Sequence, residues 1–150
     1  MEAGEDVVVA QLPSGTGESV TVGLSTCYDL RFPELYRQQV EAGAELFVVP
    51  AAWPAARVGH WTLLGRARAV ENQCVVVQCN TAGTHAGYPM GGHSQVVTAS
   101  GEVLADADAA GDGTSGRSSA AQQCVLSVEV DLAATRDYRT AFPVLDDRRL

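Results

Sequence analysis

Residues 23–35 read G-L-S-T-C-Y-D-L-R-F-P-E-L, and the change of character within this stretch decides the fold. Just before and into it, Val20, Val22 and Leu24 alternate with smaller or polar residues, the period of a strand. After it, Pro33 suits the first turn of a helix over about 33–42, and Gly43 suits that helix's C-terminal cap. Cys27 therefore falls where a strand hands over to a helix. Turns of this kind present a side chain at the carboxyl edge of a sheet, where α/β proteins bind ligands. Position alone reads the thiol equally as a nucleophile or as a small apolar filler.

Working outward, residues 7–12 (V-V-V-A-Q-L) predict a strand joined to the one at 20–26 by the turn-like P-S-G-T-G. Leu46 to Pro50 (L-F-V-V-P) is a continuous apolar run, the pattern of a strand covered on both faces. A helix over about 57–71 places Val58, Trp61, Leu64, Ala67 and Val70 at three-residue steps, and Cys74 to Cys79 (C-V-V-V-Q-C) reads as another buried strand. Strand, helix, strand, helix, strand implies an α/β layer. Further strands are predicted at 93–98, 102–105 and 124–130, with antiparallel pairing. Residues 106–123, a run of Ala, Asp, Gly, Ser and Gln, read as a flexible loop inside one domain spanning 1–150.

Apolar residues at 46% and charged residues at 19% allow a globular domain with a hydrophobic core. A net charge of -8 argues against nucleic acid or an anionic membrane as partner, and no apolar run reaches the ~18 residues of a membrane span. The N-terminal M-E-A-G-E-D-V lacks the basic and apolar regions of a signal peptide, so a cytoplasmic location and free thiols are expected. All ten basic residues are arginines; the chain contains no lysine.

The segment around Cys27 resembles the nucleophile motif C-Y-D-x-R-F-P-E-L of the nitrilase (carbon-nitrogen hydrolase) superfamily, in its amidase-like branches. Cys27, Tyr28, Asp29, Arg31, Phe32, Pro33, Glu34 and Leu35 stand where that motif has them. The likeness continues in G-A-E-L (43–46), V-V-P-A-A-W (48–53), H-W (60–61), R-A-R-A-V-E-N (66–72) and G-G-H-S (91–94), and more weakly in F-P-V-L (142–145). The resemblance implies part of an α-β-β-α sandwich, with the remaining strands in two incomplete sheets, and a Glu-Lys-Cys triad. In that triad the thiolate attacks an amide or nitrile carbon, the backbone N–H of Tyr28 and the lysine hold the oxyanion, and the glutamate is general base. The chemistry calls for no cofactor or metal. Amides are favoured over nitriles, and ω-amides of dicarboxylic acids are one option. In such families both the glutamate and the lysine precede the cysteine, and no role passes to Glu2, Glu5 or Glu18. The chain is thus expected to be the C-terminal part of such a hydrolase, inactive alone, or else a non-catalytic remnant that binds a related subunit. The family also implies homo-oligomers.

Arg31 and Glu34, three apart on a first helical turn, read as braces of the nucleophile turn through hydrogen bonds, with substrate contact as the alternative. Trp53, at the carboxyl end of a strand, reads as pocket wall or ordinary packing, and Glu71 and Asn72 as braces rather than proton carriers. A rival Cys-His enzyme would pair Cys27 with His60, His85 or His93. Cys74, Cys79 and His85 have the wrong spacing for zinc, and Gly111 to Gly116, though it fits G-x-G-x-x-G, lies in a polar stretch rather than after a strand. Cys74, Cys79 and Cys124 are expected to be shielded and Cys27 to be the reactive thiol.

Overall fold

The computed structural model describes residue 4 and residues 6–15, 17–107 and 123–149. The chain is mixed α/β. Strands β1 (Val9–Pro13) and β2 (Ser19–Leu24) form an antiparallel hairpin, and a short 3-10 turn (Cys27–Arg31) leads into helix α1 (Pro33–Glu41). Strand β3 (Leu46–Ala51) is followed by a second 3-10 turn (Ala55–Arg57), helix α2 (Val58–Asn72) and strand β4 (Val75–Asn80). β5 (Thr84–His85) and β6 (Tyr88–Pro89) make a small separate ribbon, and β7 (Gln95–Val97), β8 (Val103–Asp106) and helix α3 (Leu132–Ala141) complete the order.

Six strands make one sheet in the order β1-β2-β3-β4-β7-β8. β2, β3 and β4 run parallel, as the crossover helices α1 and α2 require, and the outer pairs are antiparallel. The register sets the two faces. Gly23, Phe47, Val76, Val97 and Val103 line up across the sheet on the side that carries the core, where Leu30, Tyr36, Trp61 and Ala69 pack against them. The opposite face carries the apolar row Leu24, Val48, Val77, Val96 and Ala105, beside Leu12, and Leu12 and Leu24 remain 48% and 42% exposed.

Several expectations are corrected. The strands expected at 93–98 and 102–105 do not start a second sheet: β7 pairs with β4 and β8 with β7, so they extend the first, while the short β5–β6 ribbon stands apart. Residues 124–130, although alternating like a strand, pair with no strand among the described residues, and Val125 is 93% exposed. Helix α2 buries Trp61, Gly65, Arg68, Ala69 and Asn72, while Val70 is 47% exposed. The three-residue spacing misleads because each such step falls about 60° short of a full turn of a 3.6-residue helix, so the row winds off the buried side. Asp106 ends β8 instead of opening a loop, and of the expected loop over 106–123, residues 108–122 lie outside the described residues. The sequence reading also missed α3, which Asp131 caps by accepting a hydrogen bond from the Ala134 N–H at 3.0 Å.

Candidate active site around Cys27

Cys27 follows β2 directly, at the carboxyl edge of the three parallel strands. Its φ is +48°, a left-handed conformation uncommon for a residue with a Cβ and found disproportionately at functional sites. The surroundings over-determine it. Ser25 N–H donates to the Val48 carbonyl of β3 at 3.3 Å, and the Ser25 hydroxyl bonds the buried Tyr36 hydroxyl at 2.7 Å. Before the turn, Gln39 Nε2 donates to the Leu24 carbonyl at 2.7 Å. Within the turn, the Thr26 N–H donates to Asp29 Oδ2 at 2.8 Å, and the Asp29 N–H returns to the Thr26 carbonyl at 3.0 Å.

The far end of the turn is held by α2. Arg68, almost wholly buried, donates from Nε and Nη2 to the Leu30 carbonyl at 3.1 and 2.8 Å. Its Nη1 binds Glu71 Oε1 at 2.8 Å, and its guanidinium lies 5.4 Å from the Tyr36 ring centre. Glu71 thus reaches the nucleophile turn through Arg68. Its backbone carbonyl also accepts from Arg37 Nη1 at 2.5 Å, and Asn72 Nδ2 donates back to the Arg68 carbonyl at 2.9 Å. Arg68 stands in the R-A-R-A-V-E-N block (66–72), and its part in holding the turn was not apparent from the sequence. The signal available was the i,i+3 spacing of Arg68 and Glu71 on a helix beside the site.

An open cleft of about 490 Å³ lies over Cys27, lined by Cys27, Tyr28, Arg31, Ala52, Trp53, Pro54 and Arg57. Trp53, 3% exposed, is both wall and packing: it is tilted against Trp61 at 5.5 Å. Asn80 Oδ1 accepts from its backbone N–H at 2.6 Å, and its indole N–H donates to the Arg57 carbonyl at 2.7 Å. The Gly91 N–H of the G-G-H-S block donates to the Trp53 carbonyl at 2.8 Å, and a Cβ on Gly91 would lie 2.9 Å from Val58.

Arg31 lies in this cleft. Its guanidinium sits over Trp53 at 4.6 Å and near Tyr28 at 5.7 Å, and Nη1 is 3.4 Å from His60 Nδ1. It makes no hydrogen bond to Glu34, which is exposed and lines no part of the cleft. Tyr28 is 66% exposed, and its N–H lies in the first turn of a helix, where no preceding helical carbonyl serves it. None of the three histidines lines the cleft. His85 is exposed, and His93 Nδ1 lies 3.2 Å from Asp106 Oδ1. Among the described residues no group of three or more His, Cys, Asp or Glu side chains could hold a metal.

The thiols differ from expectation. Cys27 is half-buried and Cys74 buried, but Cys79 and Cys124 are exposed. Cys79 sits beside Pro50 at the end of β4 on the face away from the helices, and Cys124 lies in the unpaired segment. Burial pushes the Cys74 thiol up to about 12, opposed by Arg139, and likewise pushes the Tyr36 hydroxyl up to about 12.

The carbon-nitrogen hydrolase family matches residues 1–140, and the chain belongs to it. It is 45% identical over 147 residues to the 2-oxoglutaramate amidase of Paenarthrobacter nicotinovorans, covering 98% of this chain and 46% of that protein. It is 39% identical over 122 residues to Omega-amidase YafV of Escherichia coli K12, covering 81% and 43%. Among solved structures, it superposes on Saccharomyces cerevisiae Nit3, a member of branch 10 of the nitrilase superfamily, with a TM-score of 0.78 and 28% identity over 100% of this chain and 50% of that one. The chain spans about half the length of the curated relatives it matches. Among the described residues no helix is long and apolar enough to cross a membrane.

Proposed function

We propose that this chain carries the nucleophile side of an amidase that releases ammonia from small carboxamides, with ω-amides of dicarboxylic acids as the substrate class. The observation that carries this reading is Cys27 itself, held at φ +48° by bonds on both sides and open to a cleft of substrate size. In the proposed reaction the Cys27 thiolate adds to the amide carbon. The Tyr28 N–H, at the free first turn, donates a hydrogen bond to the developing oxyanion. The proton that the general base took from the Cys27 thiol passes to the amide nitrogen, ammonia departs to leave a thioester, and water, deprotonated by the same base, hydrolyses the thioester to the acid and frees the thiol. The lysine comes from outside these 150 residues, because none is present in them, and the glutamate base, which in the family precedes the cysteine as the lysine does, is assigned there with it. The partly exposed apolar face of the sheet, with Leu12 and Leu24, is the surface against which the other layer of the sandwich packs. Cys27, Tyr28, Trp53 and Arg31 meet the substrate, and Glu71 braces the turn through Arg68; Glu34 stays outside the cleft.

The test is ammonia release from succinamate and related amides, by the chain alone and by the chain mixed with the N-terminal half of the Paenarthrobacter amidase. Losing members of a catalytic unit costs on the order of 10⁴ or more, so the chain alone is expected to stay at background. Complemented chain is expected to turn over, and Cys27→Ala to abolish it. Ordinary turnover by the chain alone, with one histidine essential, would replace this reading with the Cys-His one. Stable complexes without turnover would favour a non-catalytic binding partner.

A further inference from the structure

Three consecutive residues of the cleft wall, Ala52, Trp53 and Pro54, lie beyond the last rung of their strand, since β3 ends at Ala51. A wall that projects past its strand has no ladder to hold it, yet Trp53 is 3% exposed, with Trp61 at 5.5 Å and the Arg31 guanidinium at 4.6 Å. What holds it comes from the neighbouring strand. Asn80, the last residue of β4 and the partner of Ala51 across the sheet, is 7% exposed. Its Oδ1 accepts the Trp53 N–H at 2.6 Å, and its Nδ2 donates to the Trp53 carbonyl at 3.3 Å and to the Gly92 carbonyl at 2.7 Å. The side chain does for Trp53 what one more residue of a paired strand would do, giving an acceptor to its N–H and a donor to its carbonyl. The bond to Gly92 ties the wall to the 91–93 segment, where the Gly91 N–H donates to the Trp53 carbonyl and the His93 carbonyl accepts the Trp61 indole N–H, both at 2.8 Å.

We infer that Asn80 is a positioning residue for this site: its amide, acting through Trp53, sets where the cleft wall stands relative to Cys27. This rests on the amidase reading and adds to it a residue that lines no part of the cleft. The wall demands an acceptor on one prong and two donors on the other, which an amide supplies. A carboxylate of the same shape offers acceptors alone, and an apolar side chain of the same shape offers neither. The hold is stiff because the backbone of Asn80 is itself fixed: its N–H donates to Ser94 Oγ at 2.9 Å, and the next N–H, of Thr81, donates to the Ala51 carbonyl at 3.0 Å.

The experiment uses the 150-residue chain, whose only two tryptophans are Trp53 and Trp61. Indoles in contact couple their transitions and give a paired positive and negative band in far-UV circular dichroism, whose size follows their separation and tilt, here 5.5 Å and 43°. Asn80→Asp keeps the shape and the acceptor for the Trp53 N–H but sets a carboxylate oxygen against two carbonyls, and Asn80→Ala removes the amide without adding charge. Both variants should lose most of the coupled band while keeping a cooperative urea transition. Arg139→Gln, which gives up bonds to the Gln73 and Ala44 carbonyls at the opposite end of the parallel strands, should lower the urea midpoint and leave the band unchanged. In the complemented enzyme Asn80→Ala should raise KM for the amide about tenfold, the factor for one or two lost hydrogen bonds, with kcat nearly unchanged, because the wall binds substrate without touching the reacting atoms. A coupled band that survives both substitutions, or loss of the cooperative transition in both, overturns the inference, and so does a fall in kcat with KM unchanged. Absence of turnover by the complemented native chain, with the band lost in both variants, sinks the amidase reading and leaves the hold of Asn80 on Trp53 standing.

Discussion

Replacing Arg68 by methionine tests whether the nucleophile turn is held from α2. Arg68 is 4% exposed, and two of its N–H groups end on one carbonyl, that of Leu30 at the far side of the turn. Methionine fills much of the same volume but donates nothing, so a buried carbonyl loses both bonds. An unsatisfied buried acceptor costs about 1–3 kcal/mol. The Glu71 carboxylate is 31% exposed, so its lost ion pair adds only about 0.5 kcal/mol, and the lost cation over Tyr36 adds ~1 kcal/mol. The expected loss is about 3 kcal/mol. For a chain of this length that corresponds to a fall in Tm of about 6–12 °C. Urea titration and thermal melts give the total, and Glu71→Gln, in the same assays, should cost under ~1 kcal/mol. Hydrogen exchange gives the location: the Phe32 N–H, bonded to the Asp29 carbonyl at 3.0 Å, should lose more protection than the Phe142 N–H at the end of α3. A stability loss below ~1 kcal/mol, or uniform loss of protection in both places, would refute the idea that Arg68 secures the turn.

Alkaline pH should destabilise the chain in a defined window. Tyr36 and Cys74 stay protonated in the folded state up to about 12, whereas the unfolded chain ionises them from about 10 and about 9. Stability is therefore full below about pH 9 and declines as pH rises towards 12, by an order of 2–3 kcal/mol for Tyr36 alone; a flat urea midpoint from pH 9 to 11 would contradict this. Gly65→Ala should cost about 1–3 kcal/mol, because its Cβ would lie 1.8 Å from Gln78 Oε1, and Gln78 is pinned by Gln95 and by the Trp61 carbonyl; denaturant midpoints decide it. In the native chain Cys79 and Cys124 should accept an alkylating reagent and Cys74 should not, and early labelling of Cys74 in peptide maps would show that its packing is loose.

What could be seen in the sequence was whatever depends on local pattern. The alternation up to Leu24, the proline at 33 and the apolar run at 46–50 gave the strand, turn, helix and strand that hold Cys27, within one or two residues. What could not be seen depends on partners distant in the chain. Residues 124–130 carry a good strand pattern, but a strand needs a neighbour, and alternation does not say whether one exists. Cys79 looked buried because its strand is apolar, yet its neighbours across the sheet and its side of the pleat leave it exposed. Gln78 and Gln95 are hydrogen-bonded to each other in the core, a pairing across 17 residues that no local pattern announces. Arg57 gave one faint signal, its place four residues beyond Trp53 at the carboxyl edge of β3, but only the cleft shows what it borders.

Among the described residues, the side chains that secure the turn around Cys27 come from a single stretch of chain, from Leu24 to Asn72, and the residue before β1 adds one backbone bond to its start, from the Leu24 N–H to the Val8 carbonyl at 3.2 Å. Gln39 reaches Leu24, Tyr36 reaches Ser25, and Arg68 reaches Leu30, with the longest of these closing 38 residues. Closing a loop of that length costs only slightly more than closing one half as long. The geometry of the thiol is therefore insulated from changes elsewhere in the chain: insertions at the β5–β6 ribbon or after β8 leave its supports in place. Chain that arrives from outside this block can reshape what the cleft accepts without rebuilding the nucleophile.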